Sequence, residues 1–388
     1  MDSAGETIIF VSVMKTIVVA SDSFKGSLAS LQVADAVELG VHDVFPYCRV
    51  KKINVADGGE GTTECLERIL GGEKVRVIVN DPLGRPVNVS YTVLDDGMTA
   101  VFEMSSASGL TLLGPDERNP LRTSTYGVGQ IISDALSRGC RRFIAGIGGS
   151  ATNDAGMGMM AALGCRFLDD TGKVLEGKGE DMAKVRDIDI SDLLPGLAGS
   201  EFIVACDVDS PFCGPEGAAY VFAPQKGADS HMVGQLDAGL ENMVEVIRKV
   251  TGMDVRNIPG AGAAGGLGAA FHAFLDAKLM KGAELILDIV GFDGMIKDAD
   301  LVITGEGCID SQTLTGKLPY IVMKRCVKAG IPLAAIGGSV KLDREYDVSG
   351  FDFILPVTPS DMELSEAMNP QTASANVREA VRRLMNII

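Results

Sequence analysis

The residues of this chain that could do chemistry gather in short glycine-rich segments. They include Asp22, Ser23 and Lys25 in SDSFKGS, Asp57 and Glu60 in VADGGEG, and Ser150, Thr152, Asn153 and Asp154 in GIGGSATNDAGMG (146–158). Asp207 and Asp209 follow in ACDVDSP, then Glu306 and Asp310 in TGEGCID. Each segment comes after an apolar run that reads as a strand, and in a parallel sheet the loops after the strand C-termini line the edge where ligands bind. Carboxylates concentrated there suit a divalent cation, because Mg2+ is held by one or two carboxylates together with phosphate oxygens and water. Lys25, Lys226 in APQKGA and Lys317 in LTGKLP each sit beside glycine, where an ammonium could neutralise a transferring phosphoryl group; a lone loop lysine is otherwise simply solvated. Arg118 and Arg122, in ERNPLRTSTYG, could clamp a carboxylate or phosphate through paired donors, or be ordinary surface charges.

The segment 146–158 concentrates bare backbone between an apolar run and a helix-like MMAALGC. Glycine inside regular structure costs about 0.5–1 kcal/mol relative to alanine, so a loop held for a purpose is expected. One purpose is an anion nest, in which successive N–H groups centred on Gly148 and Gly149 meet a phosphate and Ser150 and Thr152 add donors. The other is a tight strand-to-helix turn capped by Asn153 or Asp154. Some familiar chemistries are excluded. No GxxxxGK[ST] occurs, the GxGxxG-like fit at Gly146, Gly148 and Ala151 is imperfect, and no GxSxG elbow pairs Ser23 or Ser150 with a histidine.

Loops of this kind need alternating strands and helices to hold them. KTIVVA (15–20) reads as a strand, and LASLQVADAVELGVHDVF (28–45) has helical spacing with Ser27 or Ser30 as candidate cap. The pattern returns at KKINVADGGEGTTECLERIL, where Thr62 or Thr63 would open the helix. From 74 to 103, β-branched runs broken by DPLG and DDG predict hairpins. Residues 169–200 are polar without a clear period, FIVACDV (202–208) is a further strand, and 260–279 is a Gly/Ala-rich loop entering a helix. The last hundred residues repeat strand and helix in turn. The expected fold class is α/β: a Rossmann-like parallel-sheet domain formed by both chain ends (14–87 and 289–388), interrupted by an inserted second α/β domain with a mixed sheet (88–288). Residues 1–13 read as an N-terminal extension.

The totals agree with that picture. At 388 residues the chain exceeds the size of one hydrophobic core. A balance of 35 Lys+Arg against 52 Asp+Glu, net −17, argues against nucleic acid or an anionic membrane as partner. The eight cysteines are scattered without a CxxC pair and only three histidines are present, so small core thiols in a reducing cytoplasm are expected rather than zinc or disulfides. No run reaches the about 20 apolar residues of a membrane span, and TIIFVSV (7–13) follows Asp2 and Glu6 rather than basic residues. The expected partners are small molecules, with a homo-oligomer left open, and the expected location is cytoplasmic.

Longer stretches carry a resemblance. SDSFKGSL (21–28), VADGGEGT (55–62), EMSSASGL (103–110), RNPLRTSTYGVG (118–129), GIGGSATNDAGMGMMAALG (146–164), ACDVDSPFCGPEGAAYVFAPQKGA (205–228), PGAGAAGGLGAA (259–270) and LVITGEGCIDSQTLTGK (301–317) resemble the type-1 glycerate kinase family, in that family's order. The resemblance implies transfer of phosphate from ATP, with Mg2+, to D-glycerate, most often at the 2-hydroxyl, with the active site between two domains. It points to Asp22, Lys25 and Asp57 as catalytic, with Lys25 neutralising charge and Asp22 or Asp57 orienting or deprotonating the hydroxyl. Ser23, Arg118, Arg122, Gly148, Gly149, Ser150, Thr152, Asn153, Asp154, Lys226 and Lys317 become the phosphate- and substrate-binding candidates. Asp207, Glu306 and Asp310 become the metal candidates. Two positions depart from the family pattern: Ala155 replaces the first glycine of NDGG, a change that a helical position would tolerate, and Cys308 replaces the arginine of GEGRID, leaving its contact to Lys317 or Arg122. The rival readings are a kinase for the 3-hydroxyl or for a related hydroxy acid, a non-catalytic ligand sensor, and a nicotinamide-dependent dehydrogenase, which the poor GxGxxG disfavours.

Overall fold

The run TIVVAS becomes a buried strand because it has apolar residues on both faces, as a parallel sheet covered on both sides requires: Ile17, Val18, Val19 and Ala20 are fully buried. The structure, a computed structural model, describes residues 14–54, 66–67, 69–342 and 348–388. The chain divides into two compact units, one ending at Ala56 and resuming at Ile286, the other running from Asp57 to Leu285.

In the first unit five parallel strands lie in the order Phe353–Pro356, Leu333–Val340, Leu301–Ile309, Thr16–Ser21, Arg49–Asn54. Helices Ser30–His42 and Pro370–Met385 pack together over it, with Val33, Val37 and Val41 meeting Val377, Val381 and Leu384 above Ile17, Val19 and Ile303. Gly40 permits that approach, since a Cβ there would stand 2.5 Å from the carbonyl oxygen of Arg378. The helix after the first strand is capped by neither expected serine. Ala29 occupies the N-cap and its N–H donates to the Gln32 side chain at 2.9 Å. Ser30 is drawn the other way, donating to the carbonyl of Ser21 at 2.6 Å, which ties the helix start to the strand end. The expected helix start at Thr62 or Thr63 lies outside the described residues.

The second unit carries a six-stranded mixed sheet in the order Lys278–Met280, Glu201–Ala205, Arg142–Gly146, Thr99–Glu103, Pro86–Val93, Glu73–Asn80. The first four of these strands are mutually parallel and the last two pairings are antiparallel. The DPLG hairpin forms as its sequence predicts: Asp81 accepts from the N–H groups of Leu83 and Arg85, and Gly84 takes φ +83°. Through this hairpin residues 73–80 join the second unit's sheet. The stretch without period contributes strand Asp187–Asp189, which pairs antiparallel with Arg166–Leu168 just before it; both are three-residue strands, too short to show alternation. Among the described residues no helix is long and apolar enough to cross a membrane. All seven described cysteines are free thiols, and Cys308 is the one not buried.

The core of this sheet rests on Phe143 and Phe202, stacked with centroids 4.6 Å apart, with Phe271 tilted against Phe202 at 6.2 Å. Phe202→Ala is expected to lower stability by about 3–5 kcal/mol, read as a fall in the urea midpoint of the wild-type fold. A loss below 1 kcal/mol would contradict this account of the core.

Candidate active site

The glycine-rich loop 146–158 leaves the C-terminal end of strand Arg142–Gly146, beside the end of strand Glu201–Ala205. Its second half is locked by one side chain. Asp154 is fully buried, and its carboxylate accepts from the N–H and hydroxyl of Thr125 at 2.7 and 2.8 Å and from the N–H groups of Gly156 and Gly158 at 3.1 and 3.2 Å. Burial raises its pKa while those donors oppose the rise. The Thr125 hydroxyl in turn accepts from Met159 N–H at 2.9 Å. The start of the six-residue helix Met157–Ala162 is therefore filled by the protein's own carboxylate and hydroxyl. The strand-to-helix turn read as one purpose of the loop is thus present, held by Asp154 rather than Asn153, with Gly156 in the N-cap position.

Ala155 is not helical: it has φ +53°, in the left-handed region. It is held there by a second glycine-rich segment, whose residues Ala264, Gly265 and Gly266 also have positive φ. Ala155 N–H donates to the Gly265 carbonyl at 3.0 Å. A Cβ on Gly265 would stand 2.2 Å from the Thr152 carbonyl oxygen, so the two backbones meet only because glycine is there. Alanine where the family commonly has glycine thus carries a strain that a helical position would not.

The first half of the loop is left for other uses. No bond to another described residue engages the N–H groups of Gly148 or Gly149. Both glycines, with Ser150, line a pocket of about 280 Å³ whose remaining wall includes Leu110, Ile147, Val208, Phe222 and Gln225. Lys226 also lines it. Expected in a solvated loop, Lys226 is fully buried on the short turn Pro224–Lys226, and its ammonium donates to the Thr152 carbonyl at 2.6 Å. Burial pulls its pKa down to about 7, with the Asp154 charge holding it up. Thr152 Oγ1 and both amide atoms of Asn153 are buried without a partner among the described residues, a condition uncommon in folded proteins. Cys206 lines the pocket too, but burial lifts its thiol to about 11, so it acts as a wall rather than a nucleophile. Asp207 is exposed at the pocket, one carboxylate oxygen accepting from Gly282 N–H at 2.8 Å. Arg118 is half-buried with its Nε unpartnered, and its backbone packs against Gly227; Arg122 is exposed.

The other described candidates belong to the first unit. Asp22 and Ser23 follow strand Thr16–Ser21, with Asp22 N–H bonded to the Gly305 carbonyl and Ser23 N–H to the Asp22 carboxylate at 2.6 Å. Lys25 is exposed in the same loop, whose backbone lies against Gly307. Glu306, expected in a loop, sits within strand Leu301–Ile309 opposite Gly337, because the strand continues through GEG to Ile309. It is buried, and one oxygen pairs with Lys317 at 3.0 Å while the other, Oε1, has no partner among the described residues. Lys317 occupies the N-cap position of helix Leu318–Ala329 without a side-chain capping bond. Asp310 closes its own turn, accepting from Gln312 N–H at 2.9 Å. Asp57 lies outside the described residues. Among the described residues no group of three or more His, Cys, Asp and Glu side chains gathers around a cation position.

Lys226 titrates lower in the fold than in the unfolded chain, where its value is 10.5. Between about pH 7 and 10.5 the unfolded chain holds the extra proton, so this group makes stability rise with pH across that window. Lys226→Met is expected to flatten the rise, read as urea midpoints at pH 7, 8 and 9. An identical pH slope in both proteins would show that Lys226 keeps an ordinary ammonium.

The family model for the glycerate kinase family matches residues 17–388. The chain is 45% identical to a glycerate kinase of Halalkalibacterium halodurans over 374 residues, covering 96% of this chain and 97% of that one. It is 42% identical to the glycerate 2-kinase of Escherichia coli over 369 residues, covering 95% and 96%. A crystal structure assigned as a glycerate kinase 2 from Salmonella typhimurium LT2 shares the fold with a TM-score of 0.81 at 41% identity, covering 96% of this chain and 98% of that one. The match runs through both sheets and through all the described loops that carry the polar residues, and the chain belongs to the glycerate kinase family.

Proposed function

We propose that this protein transfers the γ-phosphoryl group of ATP to the 2-hydroxyl of D-glycerate, giving 2-phosphoglycerate and ADP. The observation that carries the choice of hydroxyl is the 42% identity to the glycerate 2-kinase of Escherichia coli across nearly the whole of both chains. The chemistry fits the parts available. Phosphoryl transfer passes through a loose transition state, so catalysis is mainly positioning and neutralisation of charge on the equatorial oxygens. Lys25, exposed beside Gly26 and Gly307, is the cation for that charge in flight, and Asp22 or Asp57 orients or deprotonates the acceptor hydroxyl. Arg118, Arg122 and Lys317 are the remaining charge partners for substrate.

Mg2+ would travel with the nucleotide and supply charge neutralisation at its phosphates. It asks for one or two carboxylates from the protein, the phosphates and water supplying the rest. Glu306 fits best of the three candidates, because its Oε1 is a buried acceptor without a donor, whereas Asp207 and Asp310 each spend an oxygen on backbone N–H groups.

Incubation with ATP, Mg2+ and D-glycerate is expected to yield a product whose phosphorus couples to the C2 proton in ³¹P–¹H NMR. Coupling to the C3 methylene would overturn the regiochemistry, and ATP left intact would overturn the reading. Lys25→Ala is expected to lower kcat by about 10²–10³-fold, and Asp22→Asn by about 10²–10⁴-fold if Asp22 is the base. A wild-type rate in Lys25→Ala would remove Lys25 from the chemistry.

A further inference from the structure

We infer that the pocket of the second unit is the nucleotide half of the site, taking an adenine nucleotide with its base against Phe222 and its phosphates over Gly148, Gly149 and Lys226. The choice of ligand rests on the kinase reading; the choice of this pocket rests on its own chemistry. Its volume of about 280 Å³ is close to the lower end of ordinary ligand pockets, roughly 300 Å³. A three-carbon acid would leave much of that space unfilled. Leu110, Ile147, Val208 and Phe222 give it apolar walls. Such walls offer nothing to D-glycerate, each of whose carbons bears oxygen, but they match the faces of a flat aromatic base.

The polar groups are placed for the other end of a nucleotide. Backbone N–H groups at Gly148 and Gly149 that no described residue engages are donors suited to phosphate oxygens. The Lys226 ammonium has three donors, of which one is used, on the Thr152 carbonyl. Exposed Gln225 and Asp207 supply an amide and a carboxylate that can meet base or ribose groups.

The test measures ADP and D-glycerate binding separately, by equilibrium dialysis, on the full chain and on Phe222→Ala and Gln225→Trp. Phe222→Ala is expected to weaken ADP about tenfold, the scale of a lost base–aromatic stack, with D-glycerate affinity unchanged. Gln225→Trp replaces an exposed side chain at the pocket and is expected to weaken ADP as well, so the inference stays testable if Phe222→Ala does not fold. Weakened D-glycerate with unchanged ADP would overturn the assignment, and so would no change in either ligand with both variants folded. If the wild-type chain binds ADP in this pocket but makes no phosphoglycerate, the proposed function fails and this inference stands. If it makes phosphoglycerate while both variants keep wild-type ADP affinity, this inference alone fails.

Discussion

The second unit depends on one buried carboxylate. An ionised group taken out of water is costly unless hydrogen bonds and charge replace its solvation. Asp154 receives four such bonds, two from Thr125 and two from the backbone at Gly156 and Gly158, with the Lys226 charge acting on it as well. These bonds fix the turn into helix Met157–Ala162 and fasten it to the start of helix Tyr126–Ser137. The first half of the loop is thereby anchored at its far end, while the Gly149 carbonyl accepts from Leu110 N–H within it, so the unengaged N–H groups of Gly148 and Gly149 would need no reorganisation to meet a ligand. Preorganised donors of this sort are worth more than mobile ones, because the cost of aligning them is met during folding.

The second constraint is backbone against backbone. Left-handed residues at Ala155, Gly156 and Ala264 to Gly266 interlock two glycine-rich segments more than one hundred residues apart. Ala155 and Ala264 hold a conformation that costs a residue with a Cβ about 1 kcal/mol or more. That strain persists because the surrounding bonds over-determine it, and strain of this kind collects where geometry matters more than stability.

Much of the architecture was legible in the sequence, and the reasons are physical. The DPLG hairpin, the apolar central strands and the switch from parallel to antiparallel pairing follow from turn chemistry and periodicity, which are local. The misreadings are tertiary. Ser30 looks like a helix cap until strand Thr16–Ser21 offers it a carbonyl. Glu306 looks like a loop residue because GEG breaks strand propensity, yet strand Leu333–Val340 supplies partners through Glu306 to Ile309, beyond Gly305 where the pairing with Thr16–Ser21 ends. Lys226 in APQKGA has every local mark of a solvated turn, and only the packing of distant segments buries it. The pocket walls Leu110, Val208 and Phe222 were equally invisible as a set, since no period relates residues from three segments far apart in sequence.

Lys226 joins these threads. With a pKa near 7, an empty pocket leaves this group only partly charged at neutral pH, so the fold avoids the full cost of a buried ammonium. A phosphate oxygen brought near Nζ would favour the charged form, and the attraction would act in surroundings where water screens it little. The ammonium would then be strongest when there is negative charge to hold and weakest when there is none. A solvated lysine at the rim could not discriminate in this way, since it would be charged, and screened, in both states.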